Sequence, residues 1–156
     1  MTIRELRPDD DLAAVLQLCK DFFAEYESHH EEFFDTDSLT DADISGRFQE
    51  SLTSEKSATI VAVVEDKIVG YVSLAIREQP RFYKIKTVGT ISALMVAPEL
   101  RRRGIGTQLL IEAGNYFGDR GVKYFTFCTS VANTGAIKLY ERLGMIPLHT
   151  VFLGNT

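Results

Sequence analysis

The stretch Leu94-Met95-Val96-Ala97-Pro98-Glu99-Leu100-Arg101-Arg102-Arg103-Gly104-Ile105-Gly106-Thr107 decides how the chain is read. Its apolar start closes a strand predicted over Val88–Val96 (VGTISALMV). The strand stops at Ala97-Pro98, because proline cannot donate to a ladder. Three arginines make a basic turn. A helix is then predicted over Gly104–Asp119, with Ile105, Leu109, Ala113, Tyr116 and Phe117 on one face. Such a junction suits an anion. The first-turn N–H groups have no intrahelical partner, the macrodipole there favours negative charge, and glycine lets a ligand approach the backbone. Two familiar phosphate motifs are excluded. There is no G-x-x-x-x-G-K-[ST], and Leu109 stands where a dinucleotide fingerprint needs its third glycine. Taken alone, the fragment fits both a ligand cradle and a plain solvated turn.

Working outward, residues 2–7 read as a short strand, and Asp9-Asp10-Asp11 open a helix carrying Leu12, Leu16, Cys19, Phe23 and Tyr26 at helical spacing. Thr40-x-x-Asp43 is a capping signal for a second helix around residues 40–53. The β-branched runs Ala58–Glu65 and Ile68–Arg77 predict a hairpin across Glu65-Asp66-Lys67. After the central motif come a strand at Val122–Thr129, a helix at Asn133–Leu143 with Gly144 as its C′ residue, and a last strand at Met145–Leu153. Three consecutive strands followed by a βαβ unit predict an α/β (α+β) fold: a mixed, mostly antiparallel central sheet with helices on both faces.

At 156 residues the chain predicts one domain over 1–156. A net charge of −5 argues against a nucleic-acid surface. That charge is unevenly divided: residues 1–98 hold 10 bases against 18 acids, and residues 99–156 hold 7 bases against 4 acids. Cys19 and Cys128 form no C-x-x-C pair, so no metal is expected, and both lie in apolar runs that predict buried, reduced thiols. The start of the chain lacks the apolar stretch of a signal peptide, and no apolar run reaches membrane-spanning length. A cytoplasmic protein without membrane partners is the expectation.

Arg101-x-x-Gly104-x-Gly106, after a strand ending in L-x-V-x-P, resembles the acetyl-CoA-binding motif of the GNAT superfamily of N-acetyltransferases. Downstream, Asn133-x-x-Ala136-x-x-x-Tyr140-Glu141-x-x-Gly144-Met145 resembles that superfamily's second signature, departing only at Met145, where Phe is common. The likeness covers residues 58–153 by element order, and residues 1–57 match as the variable helical substrate region.

The resemblance implies a GNAT-like acyl-CoA N-acyltransferase fold in which strands 88–96 and 122–129 splay apart and the pantetheine arm of acetyl-CoA completes the ladder. It implies that Leu94 and Val96 offer backbone groups to that arm, and that the N–H of Met95 or Val96 meets the oxyanion. Arg101, Arg102, Arg103, Gly104, Ile105, Gly106 and Thr107 would ring the pyrophosphate. Asn133 would bond the cofactor arm or serve as a plain N-cap. Tyr140 holds the general-acid position, or packs as a helix-face aromatic. No carboxylate lies between Val88 and Val96, so the base is sought in water relayed by Ser92, in a carboxylate from residues 25–43, or in Glu78. His29 and His30 are not assigned.

The expected reaction is transfer of the acetyl group of acetyl-CoA to a primary amine of a small molecule or peptide. The alternative is a non-catalytic acyl-CoA-binding or regulatory module. Residues 25–55 hold ten acids against Arg47 alone, which would draw a cationic acceptor or simply solvate the helices. Phe33 and Phe34 would line an acceptor cleft or pack. Residues 79–87 read as an exposed loop, a lid, a dimer contact or a connection. A homodimer is expected from the resemblance alone.

Overall fold

A computed structural model describes residues 1–29 and 33–154. His30, Glu31 and Glu32 therefore lie outside the described residues. The elements are β1 (Thr2–Glu5), α1 (Leu12–Glu27), α2 (Asp41–Ser51), β2 (Ser57–Val64), β3 (Lys67–Glu78), β4 (Thr87–Val96), α3 (Ile105–Asp119), β5 (Phe125–Phe127) and α4 (Thr134–Arg142), with a 3₁₀ turn at Pro98–Leu100. The five strands form one sheet in sequence order. β1 to β4 pair antiparallel, and β4 pairs β5 in parallel, as expected of a meander followed by a crossover helix.

Local chemistry explains the element ends. Asp11 caps α1 by accepting from Ala13 N–H. Thr40 and Asp43 form the complete capping box of α2. Glu65 and Asp66 both take positive φ (49° and 61°), the tight primed turn that a two-residue hairpin needs. α4 ends in a Schellman arrangement: Gly144 sits at φ +78°, its N–H donates to Glu141 O, and Met145 N–H donates to Tyr140 O.

Each face of the sheet has its own core. On one face, α1 and α2 bury Val15, Leu18, Cys19, Ile44 and Phe48 against Val61, Tyr71 and Met95. On the other, α3 buries Leu109, Ala113 and Phe117 against Ile60, Val72, Leu74 and Ile91, and α4 packs Leu139 and Tyr140 at its margin. Leu109 is fully buried, so truncating it to Ala removes about 2–5 kcal/mol.

The structure corrects three expectations. Residues 145–153 form no strand. Pro147 removes a ladder donor, β5 offers only three residues to pair with, and Ile146, Leu148, Val151, Phe152 and Leu153 are all exposed. The strand at 122–129 shrinks to 125–127, because Val122 N–H closes the end of α3 by donating to Phe117 O. Cys128 is exposed, since β5 ends one residue before it; Cys19 is buried as expected, and both thiols are free.

Candidate functional site

The ladder between β4 and β5 covers only Gly89↔Phe125 to Ile91↔Phe127, yet β4 runs on to Val96. The reason lies on its other side. The β3–β4 register jumps from Ser73↔Ala93 to Leu74↔Ile91, which leaves Ser92 as the extra residue of a bulge. A bulge bends its strand, so β4 turns away from β5 just beyond the last pair. Ala97 N–H donates to Val69 O at 2.8 Å, which sets the ladder's parity. The N–H groups of Leu94 and Val96 consequently face the open edge, while that of Met95 faces β3. The side chains of Leu94 and Val96 pack toward α3, and Met95 is buried toward α1.

At the end of that edge the chain turns through Arg101, Arg102 and Arg103, all exposed. Arg102 (φ 63°) and Gly104 (φ 83°) both take the left-handed conformation that starts α3. Glycine is needed at 104 for the backbone angle, because a Cβ there would meet nothing within 4 Å. Gly104 brings no capping side chain, and the first helical bond runs from Gln108 N–H to Gly104 O. The N–H groups of Ile105, Gly106 and Thr107 precede that bond, so they point out of the helix start. Ile105 is buried, and Gly106 and Thr107 are half-buried. A Cβ on Gly106 would lie 3.7 Å from Leu139 and 3.9 Å from Val96, so the first turn of α3 sits where β4 and α4 converge.

The Arg101 side chain turns back from this loop. Its Nε donates to Val96 O at 2.9 Å, and its Nη2 pairs with Glu25 at 2.5 Å. Asn133 caps α4, its Oδ1 accepting from Ala136 N–H at 3.1 Å. Tyr140, on the same helix, packs edge-on against Phe127 with ring centroids 4.2 Å apart. That contact puts the phenol at the fork, because Phe127 is the last paired residue of β5. Burial pushes the Tyr140 hydroxyl up to about 12, so it stays protonated across the neutral range.

On the α1 side of the fork lies a cleft of about 470 Å³. Its floor is Thr90, Ile91 and Ser92 of β4 with Thr126 to Cys128, and its wall is aromatic. Phe22 stacks on Tyr26 at 5.7 Å, and Phe34 meets Tyr26 edge-on at 4.7 Å. Asp35 is the one carboxylate among the described lining residues. Burial raises the Tyr26 hydroxyl above its ordinary value, with Cys128 adding to the shift.

The fork thus brings together Leu94, Val96, the 104–107 turn and Tyr140, with Asn133 at the start of the same helix. It does not gather Glu78, which pairs with Thr87, nine strand residues and roughly 30 Å from Val96. The 79–86 loop also lies at that far end, closed on itself by Gln79 N–H to Lys86 O and by Lys86 Nζ to Arg81 O and Tyr83 O. Sequence reasoning missed Glu25 as the partner of Arg101 and Cys128 as a cleft residue. It also placed Phe23 and Tyr26 only as a core face of α1. The excess of rings at Phe22, Phe23 and Tyr26 was the available signal, being more than one buried stripe needs. No group of three or more His, Cys, Asp or Glu able to hold a metal occurs among the described residues. No helix among them is long and apolar enough to cross a membrane.

A sequence model described as the acetyltransferase (GNAT) family matches residues 15–145. Mycothiol acetyltransferase of Pseudarthrobacter chlorophenolicus is 28% identical over 144 residues, covering 92% of this chain and 42% of that protein. The chain therefore spans about two fifths of that relative's length. Among solved structures, a tetramutant of the BH1408 protein from Bacillus halodurans superposes with a TM-score of 0.85 at 24% identity, over 100% of both chains. AAC(6')-Iy in complex with a bisubstrate analog, CoA-S-monomethyl-acetylneamine, superposes with a TM-score of 0.79 at 20% identity, over 99% of this chain and 97% of that one. At these identities the likeness establishes the shared fold.

Proposed function

The chain belongs to the acetyltransferase (GNAT) family, and we propose that it transfers the acetyl group of acetyl-CoA to a primary amine by direct attack in a ternary complex. The observation that carries this reading is the fork. An open strand edge with the N–H groups of Leu94 and Val96 leads from the uncapped start of α3 to the phenol of Tyr140. An extended pantetheine arm fits such an edge as an added strand, and the N–H groups of Ile105, Gly106 and Thr107 suit a pyrophosphate. Arg102 and Arg103 add positive charge beside it. Arg101 acts by holding the Val96 carbonyl, and Asn133 holds the start of α4 in place.

Acetyl-CoA supplies the acyl group already activated as a thioester. The N–H of Val96, not that of Met95, faces the side where the carbonyl oxygen gains charge. As the amine nitrogen bonds to the carbonyl carbon and the carbon–sulfur bond breaks, the Tyr140 O–H delivers its proton to the leaving thiolate. The incoming ammonium sheds one proton through the cleft, which offers Ser92 Oγ on its floor and the Asp35 carboxylate on its wall. The second proton, lost from the nitrogen as the amide forms, returns to the Tyr140 phenolate.

Calorimetry with acetyl-CoA and a thiol-release assay over an amine panel test the reading together. Binding with thiol release supports the enzyme, and binding with no release for any amine marks a non-catalytic acyl-CoA module. Absence of binding to folded protein overturns both. A cytoplasmic setting is part of the proposal, supported by the exposed free thiol of Cys128, which a reducing compartment preserves. So is a homodimer, supported by the five exposed apolar side chains of residues 146–153, a segment that a second copy brings in identical form. A sedimentation series in protein concentration decides it, and a monomer throughout removes it.

A further inference from the structure

We infer that the acceptor is a monocationic amine on an aromatic body, an arylalkylamine, rather than a polycation such as a polyamine or an aminoglycoside. This deepens the acetyltransferase reading and rests on it. The acidic character of residues 25–55 points to a polycation only if those acids are free to meet one. Four of them already have structural partners. Glu25 pairs with Arg101, Glu27 accepts from Thr36 Oγ1, Asp41 pairs with Lys20 at 2.6 Å, and Asp43 completes the capping box with Thr40. Asp35 is the single carboxylate among the described residues that line the cleft.

The rest of the wall is built for an apolar body. Phe22, Tyr26 and Phe34 form a continuous array, with ring centroids 5.7 and 4.7 Å apart. Such faces gain from stacking with an aromatic ring and from one adjacent cation. A polyhydroxylated or multiply charged acceptor would lose hydration against this wall without enough partners to replace it. The space of about 470 Å³ accommodates a two-ring amine. Thr90, Ser92 and Asp35 supply the few polar contacts that fix the amino group and leave it facing the fork.

Two readouts test the assignment. In the thiol-release assay, phenylethylamine and tryptamine should exceed spermidine and kanamycin by at least about tenfold in kcat/KM. Phe34→Ala should lower the arylalkylamine value by about tenfold, and Asp35→Asn should raise KM about threefold with kcat less affected. A preference for spermidine or kanamycin overturns the inference. The second readout needs no turnover. Cys128 is the exposed thiol and lines the same cleft, whereas Cys19 is buried, so bound acceptor should slow alkylation of Cys128. Protection by phenylethylamine and not by spermidine supports the inference even if no thiol is released, an outcome that sinks only the enzymatic reading. Equal or absent protection overturns it.

Discussion

Arg101 ties the end of β4 to α1: its Nε donates to the Val96 carbonyl at 2.9 Å while its Nη2 pairs with Glu25 at 2.5 Å. The Val96 carbonyl lies on the same open edge as the Val96 N–H. One arginine thus satisfies the acceptor of the fork and leaves the donor free. The ion pair itself is half-exposed and contributes little to stability. Arg101→Ala is expected to weaken acetyl-CoA binding about threefold to tenfold, because the edge loses its brace. Glu25→Gln keeps the Nε bond and should change affinity less than about twofold. Calorimetry on both variants checks the pair, and equal losses would shift the role from the carbonyl contact to the ion pair.

Gly104 opens α3 at φ +83° with open space around its Cβ position. Alanine there meets no clash, so its cost is the left-handed backbone, about 1 kcal/mol, visible as a lowered melting temperature. Gly104→Glu adds a carboxylate at the helix start, where the proposed pyrophosphate sits. It should abolish measurable acetyl-CoA binding while melting close to the alanine variant. Retained binding in the glutamate variant would move the anion site away from this turn.

Tyr140 is held protonated by burial, its hydroxyl pushed up to about 12. Activity should therefore rise with pH as the amine deprotonates and show no falling limb from this residue below about pH 11. Tyr140→Phe should lower turnover by about tenfold to a hundredfold while acetyl-CoA affinity stays within about twofold. Unchanged turnover removes the acid role. The same shift carries a stability consequence. The folded value exceeds the unfolded one near 10, so the fold keeps this residue's contribution below pH 10 and loses it as pH rises through about 12. A urea titration at high pH should show a smaller loss in Tyr140→Phe than in the wild type, the remainder belonging to Tyr26, Tyr71 and Tyr116, whose hydroxyls burial also raises.

The fork was legible where local rules act alone. Pro98 ends β4, Gly104 opens α3, Asn133 caps α4 and Gly144 closes it, each a chemistry confined to one or two turns. The β4 bulge was not legible, because Ser92 becomes the extra residue only through its register against Ser73 and Leu74 on another strand. The same holds for Glu25, whose partner lies 76 residues away. Residues 145–153 failed for a different reason. Their β-branched composition satisfies a strand pattern, but β5 is three residues long and provides no ladder to complete. The aromatic wall joins side chains from α1 with Phe34, segments that periodicity treats separately. Charge counting left a cationic acceptor and a solvated helix surface both open, because ten acids in a stretch say nothing about which of them already hold a partner.

Asp10 anchors the first strand to the first helix and gives the fold an acid-sensitive joint. Arg4 grips it with both terminal nitrogens, Nη1 to Oδ2 at 2.7 Å and Nη2 to Oδ1 at 2.6 Å, and Arg7 N–H donates to Oδ2 at 2.7 Å. The hydrogen bond from Arg4 holds the carboxyl below its ordinary value, with the Arg7 N–H acting in the same sense against the opposing effect of burial. The folded value is depressed, so this contribution is present in full above about pH 4 and is lost as pH falls through the folded value. Asp10→Asn keeps the size and the Arg7 contact but loses the charge-assisted fork, which should cost about 1–2 kcal/mol at neutral pH. Chemical denaturation from pH 7 to pH 2 checks both points: the variant should start lower and decline less in acid. A wild-type and variant pair with parallel acid limbs would assign the acid sensitivity to other carboxylates.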